Sequence, residues 1–236
     1  MILSPAQQKQ VDIQVDAHKH TDYKTDIVIS DDLILKNFQV RTKVLRPEIM
    51  SSLQLAQWLH TNNNIYKSKK VLDMGTGSGI QGIVTGLSGA EKVVCADISD
   101  DAVQNASLNI INYELTEKIT AIESDLFTSI GDQTFDLIIF NHMFFSDGPM
   151  EEQITKDFSE IERGSLIHRF FDEARRHLTP NGLIIMPYLE LAGPVNSPKI
   201  QAPRHGYSVE TVFNENVTVG IQQGEVSIYK IKSLSL

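Results

Sequence analysis

The chain has 236 residues, enough for one domain built on a large sheet or for two small ones. Hydrophobic residues make up 41% and charged residues 22%, an ordinary balance for a globular protein, while a net charge of −9 and a pI of about 5.2 disfavour nucleic acid, whose binding runs on neutralised phosphates. The single cysteine, Cys95, excludes an internal disulfide and lies in no metal-ligand spacing, and no apolar run reaches the length of a membrane span.

The opening residues, "MILSPAQQKQVDIQVDAHKH", hold no basic region followed by a long apolar run. No signal peptide is expected, and the protein is placed in the cytoplasm. His18 and His20 have no further ligands at useful spacing and read as surface residues. Next, "IVIS" and "LILK" flank Asp31-Asp32 as a hairpin with a short loop, and "FQVRTKVL" alternates like a third strand. These strands form an N-terminal extension, residues 1–47, expected to wall the acceptor site of a main domain over 48–236. Pro47 opens a helix through "EIMSSLQLAQWLH", with Ile49, Leu53, Ala56 and Leu59 at helical spacing. "KSKK", Lys67 to Lys70, reads as the solvated entry to a strand.

From residue 70 apolar runs alternate with helical patterns. "KVLDMG", "KVVCADI", "ITAIESDLF", "FDLIIFN" and "GLIIMPYLE" are five buried parallel strands, with Cys95 a small core residue on the second. "GIQGIVTGLSG", "SDDAVQNASLNIINYE" and "SLIHRFFDEARRHL" are helices between them. Ser99 is the N-cap of the middle one, with Asp100 and Asp101 in its first turn. "GYSVETVFNE" and "EVSIYKIK" have no helix between them and should pair antiparallel.

The ends of these strands carry the chemistry. "VLDMGTGSGIQG" puts Gly75, Gly77 and Gly79 where a strand turns into a helix, letting backbone approach a ligand. Gly77 to Gly82 also match the dinucleotide signature GxGxxG, but Asp73 would repel a pyrophosphate and suits an ammonium group. Asp97 ends the second strand, placed to accept from two ribose hydroxyls. Asp125, in "SDLF", is placed to accept from the exocyclic amine of adenine. An amino acid, a ribose and an adenine in one ligand describe S-adenosylmethionine.

On these residues the sequence resembles the class I S-adenosylmethionine-dependent methyltransferases. Asp73-x-Gly75-x-Gly77-x-Gly79 matches the family's acidic-Gly-x-Gly-x-Gly motif, and Asp97 and Asp125 match its acids at strands two and three. The resemblance implies a Rossmann-like α/β fold with a seven-stranded, mostly parallel sheet whose last strand is antiparallel. It implies cofactor at the carboxyl ends of the strands, held by Asp73, Gly75, Thr76, Gly77, Gly79, Asp97, Ile98, Asp125, Leu126 and Asn141.

Within that family, the release-factor glutamine methyltransferases and the small-domain rRNA guanine methyltransferases end strand four in Asn-Pro-Pro-aromatic. Here the tetrapeptide is Asn141-His142-Met143-Phe144. The Asn and an aromatic remain, and both prolines are gone. The resemblance implies that Asn141 orients the acceptor, that Phe144 and Phe145 line its pocket, and that His142 is either a general base or a loop-shaping residue. Three functions stay open. One is methylation of a nitrogen or oxygen on a small molecule or protein side chain. Another is a glutamine or rRNA-guanine methyltransferase with an altered loop. The third is a cofactor-fold protein without catalysis. Arg204 and His205 are candidates for an anionic substrate group, with surface placement favoured. No pattern sets the oligomeric state.

Overall fold

The protein is described from a computed structural model covering residues 19–48, 51–142, 165–194, 196–219 and 222–234. Phe144 and Phe145, and His18, lie outside the described residues.

The strands are β1 (Tyr23–Val28), β2 (Ile34–Val40), β3 (Lys70–Met74), β4 (Lys92–Asp97), β5 (Ile119–Glu123), β6 (Phe135–Phe140), β7 (Leu178–Leu189), β8 (Tyr207–Val219) and β9 (Gln222–Ser233). The helices are α1 (Ser51–Thr61), α2 (Ile80–Leu87), α3 (Asp100–Asn112), α4 (Ser165–Ala174) and the single turn α5 (Pro198–Gln201). Seven strands form one sheet in the order β5-β4-β3-β6-β7-β9-β8. β3 pairs parallel with β4 and β6, β4 with β5, and β6 with β7; β9 inserts antiparallel between β7 and β8. The order reverses at β3, so the crevice between β4, β3 and β6 is where such a sheet takes a ligand.

Both faces of the sheet are covered, which is why its strands read as continuous apolar runs. Along β6, Leu137 and Ile139 enter one core with Leu55 and Leu59 of α1 and Ile83 of α2, while Ile138 and Phe140 enter the other with Phe170 and Phe171 of α4. Ile27, Ile29, Leu35, Phe38 and Val40 of the N-terminal hairpin join the first of these cores.

The hairpin differs from its sequence reading. Two strands form instead of three, because "LILK" and "FQV" are one strand, β2. The pairing shifts between Thr25 and Ile27, so that Asp26 faces both Lys36 and Asn37. Asn37 takes φ of 54°, and its N–H donates to Asp26 Oδ1 at 2.8 Å. This bulge resets the alternation, and Leu35 and Phe38, three apart, are both fully buried. That phase change is what looked like a strand boundary. Arg41–Val44 form a turn, closed by Val44 N–H to the Arg41 carbonyl, instead of continuing a strand. Pro47 and Glu48 lie in a turn as well, and the first described residue of α1 is Ser51.

At the other end, β8 and β9 stay paired to Val219 and Gln222, whereas β9 pairs with β7 only as far as Val226. The β8–β9 ribbon therefore runs past the sheet on the side of the crevice.

Candidate active site

Asp73, the acid before the glycines, is 1% exposed. Its Oδ2 accepts from Thr76 Oγ1 at 2.6 Å and from the Gly82 N–H at 3.0 Å, so it braces the turn from below. Burial pushes its carboxyl up to about 7, against the pull of these two bonds. This bracing role, made through one carboxylate oxygen turned toward α2, was not part of the sequence reading, which gave Asp73 to a ligand ammonium. Gly82 sits so close to β4 that an added Cβ would lie 2.2 Å from Cys95 Sγ.

The turn is closed by Thr76 N–H to the Ala96 carbonyl and Gly79 N–H to the Thr76 carbonyl. Gly77 and Gly79 take φ of 54° and 86°, the left-handed region that favours glycine. Gly79 also packs on α3: its Cβ would meet Ala106 at 3.1 Å, while nothing lies within 4 Å of one at Gly77. Open space, solvent-facing backbone at Gly75 and Gly77, and an acid at the end of β4 together fit a nucleoside-bearing cofactor.

Asp97 accepts from the Gly77 N–H at 2.9 Å and the Ser99 N–H at 3.0 Å, one on each oxygen. A carboxylate has about four acceptor sites, so hydroxyl donors can still be received. Ile98 beside it is 40% exposed, an apolar platform at the mouth. Ser99 caps α3 by position, with extended φ and ψ, but its side chain makes no cap bond. Asp125 is paired with Arg169 of α4 at 2.7 Å. An adenine amine would share that carboxylate with the guanidinium. Leu126 and Thr76 are buried, and Leu126 packs in the core against α4.

Register brings Asn141 to this turn. Met74 pairs with Ala96 on one side and Phe140 on the other, so Asp97 and Asn141 flank Gly75, roughly 10 Å apart across two strand spacings. Successive residues of a strand face opposite ways, which separates Asn141 from His142. Asn141 turns toward α1, where its Oδ1 accepts from Ser51 Oγ at 3.0 Å and its Nδ2 donates to Ser52 Oγ at 2.9 Å. Gln81 Nε2 in turn donates to the Ser52 carbonyl at 3.0 Å.

His142 turns into the opposite core and is 5% exposed. Its ring lies 5.4 Å from that of Phe140, and Nε2 carries the proton to the Asn196 carbonyl at 3.0 Å. Burial depresses its pKa to about 4, against the bond to Asn196. At neutral pH it is an uncharged and poor base. Of its two sequence readings, the geometry favours the loop-shaping one.

The remaining candidates lie elsewhere. His205 pairs with Asp172 at 2.7 Å and with His168 at 2.8 Å, and Arg204 bonds Gln201. His20 bonds the Val44 carbonyl. Among the described residues no group of three His, Cys, Asp or Glu could hold a metal ion. Sequence reasoning missed Ser51, Ser52, Gln81, Asn105, Asn109 and Arg169. For the two asparagines a signal existed: they fall on the buried stripe of α3 with Ala102, Ala106 and Ile110, where polar side chains need partners.

Comparison with known proteins matches residues 50–191 to the methyltransferase small domain. A ribosomal protein uL3 glutamine methyltransferase of Francisella tularensis is 32% identical over 142 residues, 56% of this chain and 44% of its own length. A protein N-terminal and lysine N-methyltransferase of Schizosaccharomyces pombe is 25% identical over 190 residues, 67% of this chain and 74% of its own. The crystal structure of a ribosomal protein L11 methylase from Lactobacillus delbrueckii superposes with a TM-score of 0.58 at 21% identity, covering 87% of this chain and 97% of that one. The chain spans less than half the length of the first three curated relatives it matches.

Proposed function

The chain belongs to the methyltransferase small-domain family, and from that premise we propose that it is an S-adenosylmethionine-dependent methyltransferase acting on a nitrogen of a protein side chain. We assign catalysis to residues 48–236, with residues 1–47 as an extension. Acceptor specificity lies with a protein and not with RNA, in keeping with the net charge of −9 and with the relatives' protein substrates. A single buried cysteine suits the cytoplasm.

One observation carries the reading: Asn141 stands beside the glycine turn with its amide fixed by two serines. Each serine uses one position of the amide. Oδ1 keeps a lone pair and Nδ2 a hydrogen. S-adenosylmethionine supplies an electrophilic methyl on a sulfonium centre. Gly75 and Gly77 would offer backbone to it, Asp97 would accept from its ribose, and Ile98 would cover its base. Asn141 Oδ1 accepts an N–H of the acceptor, which turns the nitrogen lone pair toward the methyl. The contribution is orientation rather than proton transfer. His142, neutral and facing the other core, takes no proton. As the N–C bond forms and the S–C bond breaks, S-adenosylhomocysteine would leave, and the methylated nitrogen would release its proton to water. Phe144 and Phe145 we assign to the acceptor pocket.

The test is Asn141→Ala, with labelled methyl transfer to the proteins of a cell extract and hydrolysis of the product to tell methylglutamine from methyllysine. The wild type should label protein, and the variant should lose about a hundredfold in rate while binding S-adenosylhomocysteine normally. Equal labelling by both would remove Asn141 from the mechanism. Cofactor binding without labelling of protein by the wild type would favour a non-catalytic protein.

A further inference from the structure

The outer edge of β2 faces α3, and two side chains of that helix pair with it as a third strand would. Asn109 Oδ1 accepts the Gln39 N–H at 2.9 Å, and its Nδ2 donates to the Gln39 carbonyl at 2.8 Å. Asn105 Oδ1 accepts the Arg41 N–H at 2.6 Å, and its Nδ2 donates to the same Gln39 carbonyl at 3.0 Å. The second hydrogen of each amide goes to the Ser78 carbonyl, at 2.9 Å from Asn109 and 3.3 Å from Asn105. Both asparagines are fully buried.

Ser78 lies between Gly77 and Gly79, two of the three glycines of the turn, with Gly75, that take left-handed backbone. Its carbonyl is held by these two amides. Each amide bonds through its oxygen to the hairpin and through its nitrogen to both the hairpin and the turn. Neither the hairpin nor the turn can shift without breaking bonds at the other, and an orphaned buried amide costs more than the bond itself is worth.

We infer that Asn105 and Asn109 are positioning residues for the cofactor. Through them the N-terminal hairpin sets the shape of the glycine turn. This rests on the reading above that the turn holds S-adenosylmethionine. By reciprocity, cofactor bound at the turn must stabilise the hairpin edge to the degree that the edge stabilises the cofactor.

Amide hydrogen exchange on the wild-type protein, with and without saturating S-adenosylhomocysteine, tests this first. Exchange at Gln39 and Arg41 should slow about tenfold along with that at Gly77 and Gly79. Protection at the glycines alone would overturn the inference. The second measurement is calorimetry on Asn109→Asp, which keeps the acceptor for Gln39 and loses both donors. Its dissociation constant for S-adenosylhomocysteine should rise about tenfold. Gln104→Ala, which removes the side-chain bond from Arg41 to α3 and the bond from Gln104 to Asp100 but leaves both asparagines in place, should leave the constant unchanged. A folded Asn109→Asp with wild-type affinity would reduce the pair to a plain staple. If the wild type binds no S-adenosylhomocysteine, the cofactor reading fails separately. Exchange at Gly77 and Gly79 in the free variant still decides the coupling: faster than wild type supports it, and an equal rate refutes it.

Discussion

Two strand ends meet in the crevice, and they are held in different ways. The turn after β3 is gripped through its own backbone: Gly82 lies against Cys95 and Gly79 against Ala106, the N–H groups of Thr76, Gly77, Gly79 and Gly82 each meet a fixed acceptor, and the Ser78 carbonyl meets Asn105 and Asn109. The end of β6 is held by side chains: two serine hydroxyls on Asn141, and one imidazole bond from His142 to Asn196. The first arrangement has no slack, because its contacts are set by the absence of a Cβ. The second can be retuned by exchanging side chains, which fits an end that chooses an acceptor beside one that holds a constant cofactor.

The sharpest way to break this contrast is to add one methyl group under the turn. Gly82→Ala should cost about 3 kcal/mol in stability or prevent folding, and the same change with Cys95→Ala should recover most of the loss. Denaturant melts of the single and double variants check this. Failure of the double variant to recover would mean that the close approach to Cys95 is not what fixes Gly82.

Next in size is pH. Each strand end hides one buried titrating group, and their signs oppose. Asp73 has a folded pKa near 7, above its ordinary 3.8, so the folded state holds a proton that the unfolded chain has lost. Its contribution is complete below about pH 4 and disappears as pH rises to 7. His142 has a folded pKa near 4, below its ordinary 6.5, so the unfolded chain binds the extra proton. Its contribution is complete above about pH 6.5 and disappears as pH falls to 4. Between pH 4 and 6.5 the two nearly cancel. Asp73→Asn should leave a stability that climbs with pH by about 1.4 kcal/mol per unit across this window, and His142→Phe one that falls at the same rate. Parallel slopes in the two variants would show that other groups dominate.

The smallest effect is expected at the adaptable end. Ser51→Ala should cost about 1 kcal/mol of stability, and Ser51→Thr should restore it by keeping the hydroxyl. Methyl transfer to protein should fall more than cofactor affinity, since the serine touches Asn141 and not the turn. An equal fall in both would mean that the two ends are not independent.

The same contrast explains what could be read from the sequence. The β–α alternation, the seven-stranded sheet and the glycine turn were legible because apolar runs and glycines act locally. The pleat of β6 was legible too, yet it could not say what Asn141 and His142 would meet. Their partners come from Ser51, Ser52 and Asn196, some 50 to 90 residues away in the chain. The bracing role of Asp73 was not legible, because its partners, the Thr76 hydroxyl and the Gly82 N–H, are set by the way the turn closes. The bulge at Asn37 was invisible because it changes the phase of alternation in the way a turn does.

The pleat of β6 has one more consequence, for how much change the chain can absorb. From Leu137 onward, position along this strand works as an address, with even steps leading to one core and odd steps to the other. Residues 137 to 140 can be exchanged among apolar types at modest cost, because each address asks only for volume. Adding or deleting one residue between Leu137 and Phe140 would instead deliver the imidazole to the serines and the carboxamide to the aromatic core. Counting is therefore a stricter requirement on this segment than composition. A variant that probes the acceptor role proposed for Asn141 should alter the side chain at residue 141 and leave the length of the strand alone.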